Sequence, residues 1–499
     1  MAAGAGHRNH GIDPWLAGCL LLGLALRLVI LNLTVYHHAD EIWQYIEPAY
    51  GMVTGDWIRT WDIRSGIRSW LIPILLAGPV WLGHAISPDS LMHVRLAQGL
   101  VALLSLGTIW AGWSLGARIS GRHALVSAFV AAIWVEFAYF APRTSSDSLA
   151  LSLLLPAAAL LVRFRDTRRV PVGLLAGLLC GLGFVVRFPL GPAIGIGMVW
   201  AAGLNIKACW RTGWLPLGAG FAGGIACDVL ANAVMGEWPL AWIWRNLFAN
   251  VVADRSHAFG VEPAYWYAVV LGWQWNVLAL AALPALWLGA RRYPVLLVMA
   301  LAVIATHSLI AHKEYRFILL GAGLMITLAA IGSVDLMDRM SRRWTLRRVS
   351  VTYLLAAWVA ASAFVALRHP FAINWTVGKA PLATIDSSAH TPGMCGIATF
   401  RVRDIPFLSR ALINRDVPLL MLAGPQAAEN AMANASRFNV LIAPTWWTAE
   451  VPGPYRLQGC IQPAQPDFEQ TYCVYARPGP CSGEAGAFDY NRVLERMDR

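Results

Sequence analysis

Long apolar runs separated by short polar segments make up the first three quarters of the chain. A helix needs about 20 mostly apolar residues to cross the hydrocarbon core of a bilayer. Runs that approach this length lie at 15–35, 70–86, 94–116, 124–141, 148–162, 171–186, 188–205, 214–234, 264–288, 294–310, 316–335 and 349–368. The pattern predicts an all-α polytopic membrane protein with about 11 or 12 transmembrane helices, because helices satisfy their own backbone in lipid.

Basic residues indicate which side of the membrane each connection occupies, since clusters of arginine and lysine favour the cytoplasmic side. The clusters are Arg118 with Arg122, Arg163 to Arg169, Lys207 with Arg211, Arg291 with Arg292, and Arg339 to Arg348. From Arg118 onward the runs then alternate sides without conflict. This topology places the turn at Arg187, the segments 142–147, 235–263 and 311–315, and everything after about 369 outside.

One stretch conflicts with this topology. If a first outside loop covers 36–69 and Arg118 lies inside, residues 70–116 must cross the membrane an odd number of times. That stretch holds two apolar runs, and the first is short and contains Pro73 and Pro79. Either this run is re-entrant or the basic residues at 118–122 do not mark the cytoplasmic side. The number of crossings therefore stays open.

The tail from 369 to 499 differs in composition from the rest. It is richer in Asp, Asn, Gln, Thr and Pro, and short strand-like runs occur at Val417–Leu422 and Asn439–Ala443. We therefore expect a transmembrane domain over 1–368 and an extracytoplasmic α/β soluble domain over 369–499. The tail contains Cys395, Cys460, Cys473 and Cys481. An even set of cysteines outside the cell argues for one or two disulfides of open connectivity, with four free thiols as the alternative.

Composition supports a chain that lipid covers. Its 499 residues are 57% hydrophobic and 13% charged, with a mean hydropathy of +0.53 and 24 tryptophans. A soluble protein needs more charge at its surface. The run 15–35 contains Arg27 and lacks a small-residue cleavage site, so we interpret it as a retained first membrane helix. The net charge of +11 comes from the clusters between runs, and we expect no nucleic acid partner.

Acidic residues and histidines are concentrated in the first outside loop, from His37 to Glu47. In an interfacial helix, Asp40, Glu41, Gln44 and Glu47 would share much of one face. A carboxylate at the membrane surface is well placed to act as a general base toward a hydroxyl group. Alternatively, Asp40 caps a helix that starts at Glu41. The spacing alone does not decide between base and cap.

A second polar cluster lies between two apolar runs at an outer boundary. It contains His312, Lys313, Glu314 and Arg316. Lysine and arginine at the level of the lipid headgroups can hold a phosphate, which arginine binds in bidentate fashion. Alternatively, Lys313 and Arg316 pair with Glu314 and with lipid phosphates.

Further polar groups fall at outside boundaries. They are Arg59, Trp61, Asp62, Arg68 with Ser69, the segment 143–147, Arg187, Asp228, and the segment from Asn246 to Tyr267. Arg187 and Asp228 lie in or beside apolar runs, where a charge usually faces a cavity or a partner. An internal ion pair that fixes helix packing is an equal alternative for these two.

In this order, the polar elements resemble those of glycosyltransferase family 22, the dolichyl-phosphate-mannose-dependent mannosyltransferases of GT-C architecture. The family's His-Lys-Glu-x-Arg-Phe element is matched at every position by His312–Phe317. Its His-Pro-Asp-Glu, Glu-Pro-Ala, Thr-Trp-Glu, Ile-Arg-Ser, Arg-Thr-x-Ser-Asn and Tyr-Gly…Pro-Trp-x-Trp-Tyr elements resemble residues 38–41, 47–49, 60–62, 67–69, 143–147 and 259–267. The matches run from about residue 25 to 335 in family order.

The resemblance implies a mannosyltransferase that inverts a β-linked polyprenyl-phosphate mannose to form an α-mannoside on a glycan or glycolipid acceptor at the outer membrane face. Asp40 would be the catalytic base, with Glu41 as second choice. The donor phosphate would bind His312, Lys313 and Arg316, and the substrates would also contact His38, Gln44, Glu47, Arg68, Arg143, Glu314 and Tyr267. No cofactor or metal is expected, because a carrier phosphate leaves without a metal and no DxD-like carboxylate pair stands out.

Three departures from the family pattern leave the acceptor open: Ala39, Asp62 and Asp147 replace Pro, Glu and Asn. One alternative function is a GT-C transferase of another polyprenyl-phosphate sugar, such as glucose, arabinose or aminoarabinose. Another is a lipid or solute transporter, although the sequence shows no repeated halves. The composition and compact loops suggest a bacterial inner membrane, with the active site and the C-terminal domain in the periplasm. In a eukaryote the membrane would be that of the endoplasmic reticulum.

Overall fold

A computed structural model describes residues 12–34, 36–343, 350–402, 408–466 and 469–497. The predicted basic cluster from Arg339 to Arg348 lies partly outside these residues. Up to Leu367 the described chain is helical. The α-helices are α1 Pro14–Leu33, α2 Glu47–Thr54, α3 Trp61–Arg64, α4 Leu71–Ile86, α5 Met92–Leu104, α6 Gly107–Ala117, α7 Gly121–Ile133, α8 Val135–Phe140, α9 Ser146–Thr167, α10 Val170–Val186, α11 Gly191–Ala202, α12 Ile206–Cys209, α13 Leu215–Val234, α14 Ala241–Leu247, α15 Trp266–Trp275, α16 Val277–Arg292, α17 Pro294–Ser308, α18 Leu319–Arg343 and α19 Val351–Leu367.

Within the described ranges, five helical segments are long and apolar enough to cross a membrane: 14–33, 92–117, 146–167, 206–234 and 315–343. The pairs α15 with α16, and α19 with the segment 371–389, pass the same test but bend by 102° and 76°. Shorter apolar helices are α4, α7, α10, α17 and the segment 188–202. The prediction of a polytopic α-helical membrane protein is confirmed.

Helix α1 shows how the membrane domain accommodates a charge. Arg27 lies in the middle of this helix and is fully buried. Its Nε donates to Ser105 Oγ at 2.7 Å, and its Nη1 donates to the carbonyl of Gly23 at 3.0 Å. A buried guanidinium is tolerated when such acceptors replace water. Arg27 therefore joins α1 to the α5–α6 junction, and the interpretation of 15–35 as a membrane helix needs no change.

The end of helix α4 packs against the C-terminal domain. Asn414 of the C-terminal domain accepts a hydrogen bond from Tyr50 of the first loop at 3.2 Å, upstream of α4. The same side chain donates to the carbonyl of Ser90, downstream of α4, at 3.0 Å. Tyr50 also packs beside the end of α4, since its ring centre lies 5.9 Å from that of His84, so both bonds join the same end of the helix to the C-terminal domain. Helix α4 is one unbroken helix of 16 residues, and the number of crossings in the stretch 70–116 stays a prediction.

The C-terminal domain is built on a mixed five-stranded sheet. Its strands are β1 Ile397–Phe400, β2 Leu419–Leu422, β3 Val440–Pro444, β4 Arg456–Ile461 and β5 Tyr472–Ala476, and its α-helices are α20 Lys379–Ala389, α21 Arg410–Ile413, α22 Ala427–Ala433 and α23 Tyr490–Met497. The strand order is β2-β1-β3-β5-β4, with β1 parallel to β2 and β3, and β5 antiparallel to β3 and β4. The α/β prediction is confirmed, and the predicted boundary at 368 falls just after α19.

Two disulfides fix this domain. Cys460 pairs with Cys473 across β4 and β5, and Cys395 pairs with Cys481. The predicted one or two disulfides are therefore present, with a connectivity that the spacing left open. Because the second bridge closes a chain segment of 86 residues, it restricts the unfolded chain strongly.

The sheet and the first outside loop share one hydrophobic core. Ile42 and Ile46 of the loop are fully buried together with Ile397, Val440 and other sheet residues of the same face. The apolar face of the sheet and the apolar side chains of the loop bury each other. The C-terminal domain is therefore packed on the membrane domain in a fixed position, rather than tethered to it by a linker.

Candidate active site

A cavity of about 1070 Å³ lies between the helical bundle and the C-terminal domain. Its walls come from distant parts of the chain. They include residues from the segments 38–45, 60–72, 146–147, 185–189, 242–259, 307–317, 401–402, 469–472 and 490–494, together with Pro381 and Trp446. The cavity is therefore enclosed by the first outside loop, by connections on the same side of the bundle, and by the sheet domain.

A π-helical turn at Glu41–Ile46 directs the acidic residues of the first loop. The wider π spacing divides the face on which four polar residues were predicted to lie together. Asp40 and Gln44 line the cavity, whereas Glu41 and Glu47 are buried outside it. Asp40 precedes the turn but its side chain makes no capping hydrogen bond. The capping alternative is therefore wrong for this residue.

Asp40 forms an ion pair at the cavity wall. Its Oδ2 lies 2.7 Å from Nη2 of Arg316 and 3.3 Å from Nδ1 of His38. Burial raises the pKa of Asp40, but the charges of His38 and Arg316 outweigh burial and hold that pKa well below its usual range. Asp40 is thus an ionised acceptor at neutral pH, with its side chain 29% exposed.

The His312–Phe317 element supplies the opposite partner. Arg316 Nε donates to Glu314 Oε2 at 2.6 Å, and Nη2 donates to Glu314 Oε1 at 3.1 Å. His312 Nε2 lies 3.0 Å from Glu314 Oε1. Burial raises the pKa of Glu314, but Arg316 and His312 lower it by more than burial raises it. The pKa of Glu314 therefore lies well below its usual range. Glu314 therefore orients both His312 and Arg316, and all three side chains line the cavity.

Two more ion pairs between an arginine and an aspartate line the same cavity. Arg187 Nε lies 2.7 Å from Asp147 Oδ1, and Arg68 Nε lies 3.4 Å from Asp62 Oδ2. Arg187 was predicted either to face a cavity or to form an internal ion pair, and it does both. Asp228 is different, because it is fully buried, is absent from the lining, and accepts a hydrogen bond from Trp242 Nε1 at 3.1 Å.

Lys313 and Tyr267 lie behind this wall. Lys313 Nζ donates to the carbonyls of Glu262 at 2.8 Å and Ile310 at 2.5 Å, and its side chain does not line the cavity. Tyr267 is 1% exposed, with its hydroxyl beside the backbone of Glu314. Both residues hold the turn that carries Glu314 and Arg316, so of the three predicted phosphate ligands only His312 and Arg316 face the cavity.

Glu41 and Arg143 are buried next to the membrane helices. Glu41 Oε1 accepts hydrogen bonds from the amides of His37 at 2.8 Å and His38 at 3.2 Å. Arg143 Nε donates to the carbonyl of Tyr139 at 3.2 Å, and its guanidinium lies 4.4 Å from the centre of that ring. Neither residue lines the cavity. The geometry favours Asp40 over Glu41 as a base and gives Arg143 a supporting position.

Glu47 connects the first loop to the C-terminal domain. It is fully buried, and its carboxylate accepts from the amides of Ile58 at 2.7 Å, Arg410 at 3.1 Å and Ala411 at 2.9 Å. Burial raises the pKa of Glu47 to about 7, although the three amide donors act in the opposite direction. This predicted substrate ligand is therefore located at the junction between domains, outside the cavity lining.

We expect Glu47 to make stability depend on pH. In the unfolded chain its pKa returns to about 4.3, so the native state binds the extra proton between about pH 4.3 and 7. The free energy of unfolding should fall by up to roughly 3 kcal/mol as the pH rises through this window. Thermal unfolding of the wild type and Glu47→Gln in one detergent at pH 5 and pH 8 tests this. A wild-type Tm that falls no further than that of Glu47→Gln contradicts the assignment.

No group of three or more His, Cys, Asp or Glu side chains within the described ranges is arranged to hold a metal ion. Four of the carboxylates at the cavity, those of Asp40, Asp62, Asp147 and Glu314, are instead paired with arginine or histidine.

Sequence reasoning assigned no site residue in the C-terminal domain. The structure brings Arg401, Trp446 and Glu469 into the cavity wall. The available signal was a tryptophan pair, Trp446 with Trp447, in an otherwise polar tail. Asp147 and Arg187 both stand at predicted boundaries, but the spacing does not predict that they pair.

The fold is the GT-C architecture. The structure of ArnT from Cupriavidus metallidurans bound to undecaprenyl phosphate matches 95% of this chain and 100% of its own, with a TM-score of 0.62 and 12% sequence identity. The same protein in the apo state matches with a TM-score of 0.59. At this identity the likeness concerns the fold alone.

The chain belongs to the Alg9-like mannosyltransferase family, whose sequence profile matches residues 19–380. GPI mannosyltransferase 3 of Yarrowia lipolytica is 28% identical over 346 residues, which are 66% of this chain and 64% of that protein. GPI alpha-1,2-mannosyltransferase 3 of Homo sapiens is 24% identical over 318 residues, 60% of this chain and 54% of that protein. The matches thus cover less than two thirds of these relatives' own length.

Proposed function

We propose that this chain transfers mannose from a polyprenyl-phosphate mannose to a hydroxyl group of a glycan or glycolipid acceptor, with inversion to an α-mannoside. The observation that carries the proposal is the pairing of Asp40 with Arg316 in one cavity at the membrane boundary. A carboxylate and a guanidinium that line one cavity can serve the two ends of one displacement, because one accepts a proton and the other stabilises a leaving phosphate. Inversion puts these two ends on opposite faces of the anomeric carbon, so the sugar must separate the ion pair when it binds.

In this proposal Asp40 accepts the proton of the acceptor hydroxyl as its oxygen attacks the anomeric carbon. The bond from that carbon to the phosphate oxygen breaks, and its electron pair leaves with the carrier phosphate. A carboxylate with a lowered pKa is a weak base toward a free hydroxyl. Transfer of the proton to Asp40 therefore becomes favourable only as the new bond to the anomeric carbon forms, because the hydroxyl proton then becomes acidic.

The donor phosphate would bind between His312, Arg316 and Arg68, all of which line the cavity. Arg316 Nη1 lies 3.9 Å from Asp147 Oδ2 and donates no hydrogen bond within the described residues, so it has donor capacity left for a phosphate. His38 and Gln44 line the cavity beside Asp40 and would contact the sugar or the acceptor. The fold neighbour that binds undecaprenyl phosphate supports a lipid-linked donor.

The lipid tail of the donor would remain in the bilayer beside the exposed apolar surfaces of the bundle. In this proposal the cavity and the disulfide-bonded domain lie outside the cytoplasm, in the periplasm of a bacterium or the lumen of the endoplasmic reticulum, and the positive-inside pattern and the disulfides support that side.

Donor choice is the direct test of this function. We expect purified protein in nanodiscs to release carrier phosphate from polyprenyl-phosphate mannose at least tenfold faster than from the glucose analogue, with octyl α-mannoside as acceptor. The product should be cleaved by an α-specific mannosidase. Equal turnover of the two donors, or turnover of glucose alone, would support another GT-C transferase instead.

A further inference from the structure

The cavity wall divides into two parts of different origin. The family profile ends at residue 380, and Asp40, Arg68, His312 and Arg316 all precede that point. A second part of the wall lies beyond it in the chain and includes Arg401, Val402, Trp446, Glu469, Gln470 and Tyr472. The part that carries the proposed chemistry is therefore the family's, whereas the other wall comes from the sheet domain outside the profile.

Trp446 is the most distinctive residue of this second wall. Its side chain is 58% exposed, although it belongs to the sheet domain rather than to a membrane segment. Strongly exposed tryptophans elsewhere, such as Trp81 and Trp287, lie on apolar helices where lipid accounts for their exposure. An indole in the wall of this cavity offers a flat apolar surface with a negative face, to which the C–H groups of a sugar ring pack well.

Neighbouring groups hold Trp446 and supply polar contacts. The Arg401 guanidinium lies 4.5 Å from the ring centre of Trp447 and pairs with Glu450 at 2.5 Å, so the short helix Thr445–Glu450 is fixed to the sheet. Glu469 Oε1 accepts from the amide of Gly378 at 2.7 Å. This bond fixes the carboxylate at the cavity wall, where acceptor hydroxyls could donate to it.

We propose that the wall formed by Trp446, Glu469 and Gln470 is the acceptor subsite, which binds a sugar ring of the acceptor glycan and selects it. This inference rests on the proposed function and extends it, since the sheet domain then determines the acceptor and the family-matched part determines the donor. Aromatic residues with a few fixed polar groups are typical of sites that bind and orient small ligands.

The test separates acceptor binding from donor chemistry. Trp446→Ala should raise the KM for octyl α-mannoside on the order of tenfold, which is the loss of affinity expected when a tryptophan that contacts the ligand is removed. The KM for polyprenyl-phosphate mannose, and the slow hydrolysis of that donor without acceptor, should not change. Trp446→Phe should restore most of the acceptor affinity. Trp238→Ala is the matched control, because Trp238 is 78% exposed but does not line the cavity.

A binding measurement keeps the test independent of turnover. Saturation-transfer NMR should detect ring protons of octyl α-mannoside on the wild type and on Trp238→Ala, with a much weaker signal on Trp446→Ala. An unchanged signal on Trp446→Ala, or a parallel loss of donor hydrolysis, overturns the acceptor subsite. If the wild type binds the mannoside but never releases carrier phosphate from the mannose donor, the proposed function fails, and the wall is then a sugar-binding surface rather than an acceptor subsite.

Discussion

Replacing Asp40 by asparagine should lower the kcat of mannosyl transfer by about 10²–10⁴-fold, the range expected for loss of a general base. Asparagine keeps the size of the side chain and an oxygen that can accept from Arg316, but it cannot take up the acceptor proton. Donor binding should change little, because the proposed phosphate ligands are untouched. The measurement is single-turnover transfer from polyprenyl-phosphate mannose, with the KM of the donor determined alongside.

Glu314→Gln is the matched control for Asp40→Asn. Each variant removes one carboxylate charge from Arg316, and both carboxylates are partly exposed at 29% and 23%. Only Asp40→Asn removes the proposed base. We expect Glu314→Gln to lose less than about tenfold in kcat, a loss that corresponds to weakened orientation of Arg316. Equal losses in the two variants would assign the effect to Arg316 and remove Asp40 as the base.

The membrane architecture followed from the sequence because its signal is local. Apolar runs of bilayer length and the arginine clusters between them are read without knowing any contact. The run 70–86 was the exception, since its composition does not show whether it crosses the membrane. A re-entrant helix and a crossing helix have the same composition, and only long-range contacts distinguish them.

The site was predicted in part for the same reason. Motif positions identified Asp40, His312 and Arg316 as site residues, but they could not tell which neighbours face the cavity. A π turn separates Asp40 from Glu41, and a compact turn directs Lys313 to backbone carbonyls. Such local differences in backbone conformation change the direction in which a side chain points, although the sequence of the motif is the same. The wall from the sheet domain lay outside any motif and required the fold.

Arg316 is the residue whose loss should have the widest effect. It is 5% exposed and contacts Asp40, Glu314 and, more distantly, Asp147. Removing one partner of a buried pair costs up to about 3–5 kcal/mol, and less where the carboxylates are partly exposed as here. Arg316→Ala should therefore lower the Tm and abolish transfer. Arg316→Lys should fold, because it keeps the charge, yet raise the donor KM at least tenfold through loss of the paired contacts to Glu314.

Lys313→Ala separates phosphate binding from charge at the same turn. Lys313 carries the same charge three residues earlier, but its amine is committed to the carbonyls of Glu262 and Ile310. We expect Lys313→Ala to lower the Tm and leave the donor KM within about twofold of the wild type, because the amine does not reach the cavity. A donor KM that rises as far in Lys313→Ala as in Arg316→Lys would return Lys313 to the phosphate site. It would also imply that the turn rearranges when the donor binds, since the amine would then have to leave both carbonyls.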